Sequence, residues 1–222
     1  MSEFLQTLAE ANAIYVSRKC KKEKWFGYTQ KFEIAEIMGF ETRNRYLIKT
    51  DNGQQFGYCA EPNLGFGDAF MRGFFGYWRI FNVVGNDMNN EQVFRAHHPF
   101  PWFFQRLDVF GAGDRPVGSL QQRFAWFKTK FDLLDTRERV VMTMTSPLWA
   151  IENGTFLIKK GSRDVSVIER TWSGLIKEFF TNADNFRVRY TDAKLTADEK
   201  LLLLASAVFI ELIESNAVLN NG

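Results

Sequence analysis

The sequence predicts a mainly β protein in which many short strands are organised around one C-terminal helix. Three observations lead there: a strand, turn, strand unit that recurs from Lys31 to Tyr190, a strand total too high for a flat open sheet, and an apolar run from Leu201 to Ile213. The composition agrees, because 23 Phe among 16% aromatic residues suit a sheet-rich core or a surface with aromatic contacts. Charged residues are 24% and the net charge is +2, which leaves no overall electrostatic case for a nucleic-acid partner or a disordered tail. At 222 residues the chain can bury a sizeable core.

The recurring unit is marked by its turns. Arg45 to Thr50 and Gln55 to Glu61 flank Asp51-Asn52-Gly53, residues that tolerate positive φ. Trp78 to Val84 and Gln92 to His97 flank Gly85-Asn86-Asp87, and Gln105 to Phe110 with Arg115 to Gln122 flank Gly111-Ala112-Gly113-Asp114. Lys128 to Leu134 turns at Asp135-Thr136-Arg137 into Arg139 to Ser146, and Thr155 to Lys159 turns at Gly161-Ser162 into Asp164 to Arg170. Single strands at Phe32 to Ile37 and Phe186 to Tyr190 bracket the set. Alternation gives one apolar face, with Phe127, Thr129, Phe131 and Leu133 against Lys128, Lys130 and Asp132. Five hairpins and two single strands make about twelve strands, so either closure or a sandwich is expected.

The apolar run supplies what closure needs. Thr196 and Glu199 form a capping box and Asp198 adds negative charge to the first turn, so a helix starts there. Its apolar residues fall on nearly every face, so it must be surrounded. About 13 apolar residues reach roughly 20 Å, short of the ~30 Å of a bilayer core, and Glu211 interrupts them. The helix is therefore expected inside the barrel, with Leu201, Leu204, Val208, Phe209 and Leu212 in its core and Glu211 near an open end.

The N-terminal part reads differently. Phe4, Leu5, Leu8 and Tyr15 give Glu3 to Tyr15 an imperfect helical stripe. Arg18-Lys19-Cys20-Lys21-Lys22-Glu23-Lys24-Trp25-Phe26 then runs cations into aromatics, with two readings: a solvated linker, or a segment in which Lys19, Lys21, Lys22 and Lys24 lie on an anionic membrane surface. The expected organisation is an N-terminal helix and basic linker over 1–28, a barrel domain over 29–216 and a short tail over 217–222. Cys20 and Cys59 cannot build a disulfide framework and no signal-peptide core opens the chain, so a reducing, cytoplasmic setting is expected.

Two sets of residues carry a family resemblance. Ile168-Glu169-Arg170-Thr171-Trp172-Ser173-Gly174-Leu175-Ile176-Lys177-Glu178, then Phe180 to Val188 and the apolar helix, resemble the C-terminal half of the phospholipid scramblase family. Phe32-Glu33-Ile34, Gly39-Phe40-Glu41-Thr42-Arg43-Asn44-Arg45-Tyr46, Gly53-Gln54-Gln55 and Ala60-Glu61 follow that family's first strands in order. The resemblance covers roughly Thr29 to Glu214. It implies a Tubby-like fold shared with plant LURP-one-related proteins, a twelve-stranded closed β-barrel threaded by a C-terminal hydrophobic α-helix. It also implies calcium-stimulated, energy-independent movement of phospholipids between leaflets.

The departures bear on function. In that family the stretch matching Asn182 to Ala193 is credited with calcium binding and is acidic at both ends. Here Asn182 and Ala193 hold those positions, leaving Asp184 and Asp192 as the candidate calcium ligands, fewer carboxylates than the ion prefers. Cysteine clusters linked to lipidation are replaced by aromatics, Leu64 to Phe75 between strands three and four and His98 to Phe104 between five and six. Two readings stay open for these loops: a lipid-contact patch of Phe74, Phe75, Trp102 and Phe103, or a cap over one end of the barrel. No hydrolase or transferase constellation appears, since His97 and His98 point to opposite faces of a strand and Gly65-Phe66-Gly67 lacks the rest of a phosphate loop. The expected function is membrane-associated phospholipid binding with energy-independent transbilayer movement, no covalent chemistry, no cofactor other than calcium, and a phospholipid surface as partner. The alternative is a soluble LURP-one-like binding or signalling module.

Overall fold

A computed structural model describes residues 2–18, 45–62, 80–147, 154–171 and 185–220. The chain opens with helix α1 (Glu3–Glu10), capped by Ser2, whose hydroxyl accepts from the Leu5 amide at 3.4 Å. Phe4 and Leu8, one turn apart, are its buried face. The stripe expected to stay helical through Tyr15 stops at Glu10, because Ala11 is extended and Ile14, Tyr15 and Val16 are residues that pack better on a pleated surface. They form strand β1 (Ala13–Arg18).

Eleven further strands follow: β2 (Arg45–Thr50), β3 (Gln55–Ala60), β4 (Phe81–Asp87), β5 (Gln92–His98), β6 (Arg106–Gly111), β7 (Pro116–Arg123), β8 (Lys128–Leu134), β9 (Val140–Pro147), β10 (Phe156–Lys160), β11 (Arg163–Thr171) and β12 (Asn185–Tyr190). Each pairs antiparallel with the next, and β1 pairs with β12 through Val16 opposite Phe186 and Ile14 opposite Val188, so the sheet closes into a twelve-stranded barrel. Closure removes every sheet edge and excludes the sandwich. The expected total of twelve is reached with a different member, since β1 belongs to the barrel ahead of the expected boundary at residue 29, and Phe32 to Ile37 lie outside the described residues.

One turn is displaced from its expected place. Gly85-Asn86-Asp87 are the end of β4, and the chain reverses beyond them, where the Asn90 amide donates to the Asp87 carbonyl at 3.2 Å. Gly85 is glycine for packing: a Cβ there would lie 1.9 Å from the Phe94 ring. Gly57 makes the same kind of room for Phe4, whose ring would be 2.6 Å from an added Cβ. Both glycines let aromatic rings fill the barrel beside the helix.

Helix α2 (Ala197–Asn220) runs through the barrel. Leu201, Leu204, Val208, Phe209 and Leu212 are all at most 2% exposed, and burying each large side chain is worth ~1.5–3 kcal/mol. The capping box is formed, with the Thr196 amide donating to Glu199 Oε2 at 2.9 Å and the Glu199 amide to Thr196 Oγ1 at 3.2 Å. Three charges beside it fix where the helix enters. Arg115 holds Asp198 through two bonds of 2.7 and 2.9 Å, Lys160 donates to Glu199 at 2.6 Å, and Lys200 donates to the Ala9 and Ala11 carbonyls at the end of α1. Lys200 thereby ties the two helices together at the site where the α1 dipole favours a cation. Among the described residues no helix is long and apolar enough to cross a membrane.

Candidate functional site

Because all neighbouring strands are antiparallel, successive connections fall at alternate ends of the barrel. The turn end carries the tight reversals after β2, β4, β6, β8 and β10, and α2 enters there. The loop end is where β1, β3, β5, β7, β9 and β11 finish, and α2 reaches it near Glu211, beside Arg18 at the end of β1.

The turn end is polar and self-satisfied. Asp87 accepts from the Asn89 and Glu91 amides, both at 2.9 Å, and Asp135 accepts from the Arg137 and Arg139 amides at 2.8 and 3.0 Å. The Arg139 guanidinium, 2.6 Å from Asp135, helps hold that carboxyl down at about 2.

The loop end is aromatic. In the β5–β6 connection Trp102 is 78% exposed, Phe103 85% and Phe104 43%, and in the short β7–β8 connection Phe124 is 67% exposed, Trp126 74% and Phe127 80%. All the strongly exposed aromatic side chains among the described residues lie on these two loops. Their rings touch one another: Phe124 meets Trp126 edge-on at 5.4 Å, and Phe100 meets Trp102 edge-on at 5.6 Å. A common base joins the loops. The Gln122 amide donates to the Gln105 carbonyl at 2.8 Å, the Gln105 amide to Gln122 Oε1 at 3.0 Å, and Gln121 Nε2 to the Gln105 carbonyl at 3.3 Å. Exposed aromatic clusters on two loops joined by hydrogen bonds are the composition of an interaction site.

Charge borders the rings. Arg123 precedes Phe124, and Lys128 and Lys130 follow Phe127. Arg123 Nε donates to Asp132 at 2.9 Å and Lys130 Nζ is 3.6 Å from the same carboxylate, so two of these cations share one anion. Inside the mouth, the buried Glu211 carboxylate lies 3.8 Å from Arg18, which places it near an end as expected. The neighbouring Tyr46 hydroxyl is fully buried without a hydrogen-bond partner, and burial followed by the Glu211 charge pushes its phenol well above the ordinary value.

Of the residues expected to contact lipid, Trp102 and Phe103 stand in solvent at the loop end and do not cap the interior. Lys19, Lys21, Lys22, Lys24, Phe74 and Phe75 lie outside the described residues. The β7–β8 aromatics were not legible as a site, and Phe127 in particular was expected on the inward face. Its backbone has φ 57°, which takes it out of the strand alternation and turns its ring outward. The signal was the run Phe124-Ala125-Trp126-Phe127, in which aromatics at adjacent positions cannot all face a core.

Of the two candidate calcium ligands, Asp192 lies among the described residues. Asp184 is outside the described residues. Asp192 uses Oδ1 to accept from the Lys194 amide at 2.9 Å, and its Oδ2 lies 3.6 Å from Arg163, so the carboxylate serves the turn into α2. Among the described residues no three His, Cys, Asp or Glu side chains converge as a metal would require. The two histidines separate as expected: His97 meets Asn82 at 2.9 Å, and His98 is buried against Gln105 at 2.6 Å, stacked on Phe81 and beside Phe209 of α2.

Comparison with known proteins gives this arrangement a lineage. A phospholipid scramblase family protein of Schizosaccharomyces pombe is 26% identical over 188 residues, covering 80% of this chain and 49% of its own length. Phospholipid scramblase 2 of Bos taurus is 27% identical over 197 residues, covering 83% of this chain and 66% of its own length. The chain thus spans about half to two thirds of the length of these curated relatives. An X-ray structure of an Arabidopsis thaliana protein aligns over 93% of both chains at 12% identity with a TM-score of 0.48. The Scramblase family model matches residues 3–214, the whole barrel together with α1 and most of α2, and the chain belongs to that family.

Proposed function

We propose that this protein binds phospholipid membrane surfaces through the loop end of its barrel and promotes energy-independent movement of phospholipids between leaflets. The observation that carries the reading is the concentration of exposed Trp and Phe side chains on two joined loops at one end, in a chain of the Scramblase family. Such rings seat at the headgroup level of a bilayer, where an apolar body and, for Trp, a polar N–H are both accommodated. A peripheral position on the cytoplasmic face of a membrane follows from that reading, with the anionic leaflet attracting Arg123, Lys128 and the basic segment after Arg18.

A second reading, membrane binding without lipid movement, is favoured by the filled lumen: α2 occupies the interior, so no lipid passes through the barrel and any exchange happens at its rim. Vesicle flotation tests the shared part. The wild-type protein is expected to float, and the variant with Phe74, Phe75, Trp102 and Phe103 changed to Ser to remain at the bottom while still folded. Dithionite bleaching of labelled lipid in vesicles carrying the protein separates the two readings. Bleaching beyond the outer leaflet, measured with and without calcium, supports movement; bleaching that stops at the outer leaflet leaves binding alone.

A further inference from the structure

We infer that the β7–β8 loop is an insertion wedge for anionic phospholipid surfaces, with Phe124, Trp126 and Phe127 entering the interface and Arg123, Lys128 and Lys130 engaging headgroup anions. The inference rests on the membrane-binding reading and deepens it by assigning a specific loop and a lipid class.

Three observations converge on this loop. First, its rings form a dense exposed apolar tip: three aromatics in four residues, all mostly in solvent, packed against one another, with Phe124 5.4 Å from Trp126 and Trp126 6.4 Å from Phe127. A cap would bury them under neighbouring side chains, and it does not. Second, Phe127 holds φ 57°, a region that bulky residues rarely adopt. That conformation is unfavourable, and here its effect is to aim the ring away from the barrel. Strain that persists in a solvent-facing ring points to a role outside the fold. Third, cations bracket the tip at both strand ends. Lys128 has no ion-pair partner among the described residues, and Arg123 and Lys130 are only partly neutralised by the single Asp132. An apolar tip with a collar of cations matches the layering of an anionic bilayer, acyl boundary inside and headgroup charge outside. Cations on both strands around an apolar tip complement a laterally continuous anionic surface with an apolar interior beneath it, so the partner of stated chemistry is the anionic bilayer surface. The hydrogen bonds between Gln105, Gln121 and Gln122 anchor the wedge to the β5–β6 loop, so both sets of rings are presented by one rigid base.

The test compares the full-length protein with three variants for binding to neutral phosphatidylcholine vesicles and to vesicles carrying about a third phosphatidylserine, with circular dichroism as the folding control. The Phe124→Ser, Trp126→Ser, Phe127→Ser triple variant is expected to lose binding to both vesicle types. Lys128→Gln with Lys130→Gln should retain neutral-vesicle binding and lose the anionic preference by about fivefold per lysine. Trp102→Ser with Phe103→Ser should weaken binding while keeping that preference. As an independent readout, an environment-sensitive dye at Trp126→Cys in a Cys20→Ser background should shift to the blue on adding anionic vesicles, the buried Cys59 staying unlabelled. A folded triple variant that binds like wild type, a lysine pair variant with unchanged anionic preference, or a dye that does not shift overturns the wedge while leaving membrane binding by the β5–β6 loop intact. A wild-type protein that binds neither vesicle type overturns the membrane reading itself.

Discussion

The two ends of this barrel solve the same geometric problem, reversing a strand, in opposite chemical terms. At the turn end each reversal is satisfied from within: Asp87 and Asp135 accept the amides of their own turns, and Arg115, Lys160 and Lys200 lock α2 and α1 in place. At the loop end the β5–β6 and β7–β8 connections carry Trp and Phe side chains that stand in solvent. The first end is held together by its own hydrogen bonds and ion pairs. The second keeps apolar area in water at an appreciable cost, ~25 cal/mol for each Å², and that cost is recovered only on binding. The proposed membrane contact therefore lies at the end that leaves the most aromatic surface in solvent among the described residues.

Experiments can break this contrast at several levels. The largest effect is expected from ending the chain at Thr196, which removes the helix on which both ends depend. The truncated protein should be insoluble and lack a cooperative melting transition, and a soluble, folded product would show that the barrel stands without its filler. Next comes Gly85→Ala, which forces a Cβ into the Phe94 ring near the turn end. Overpacking of this kind costs roughly 1–3 kcal/mol, read as a lower midpoint in urea, with vesicle binding per folded molecule unchanged. Arg115→Ala should cost less, up to about 1 kcal/mol, because its pair with Asp198 is exposed to solvent, and it too should leave vesicle binding alone. If either turn-end variant altered lipid binding without unfolding, the division of labour between the ends would be wrong.

The smallest effect is a pH dependence. Folding depresses the Asp135 carboxyl from 3.8 to about 2, so the folded state favours its ionised form. That stabilisation is complete above the unfolded value near 4 and disappears as pH falls through about 2. Thermal melts of wild type and Asp135→Asn should therefore differ at pH 6 and converge toward pH 2, with the wild type higher at the upper pH. A difference that grew on acidification would contradict the assignment.

Local chemistry made much of the fold legible. The capping box at Thr196 and Glu199 declared the start of α2, and an apolar pattern on all its faces declared that it is enclosed. Asp51-Asn52-Gly53 and Asp135 to Arg137 announced turns, because those side chains and that backbone freedom serve no other local structure so well. Gly85 misled for an instructive reason. A glycine needed for positive φ and a glycine needed for a neighbouring ring look identical in sequence, and only Phe94, a residue on another strand, tells them apart. Phe127 misled in the same way, since alternation assigns a face only while the residue remains in the strand.

The sequence by itself pointed to a strand total near twelve, an enclosed helix and the family, because each is written in spacing, capping and order along the chain. Tertiary structure decided which residues share an end. Lys200 reaches the end of α1, Arg18 reaches Glu211, and Gln105 fastens the β5–β6 loop to Gln122 beneath the β7–β8 aromatics. Those contacts join positions far apart in the chain, and closure of the barrel is what brings them within bonding distance. The loop end could therefore be recognised as one surface only after the strands were seen to alternate around a closed wall.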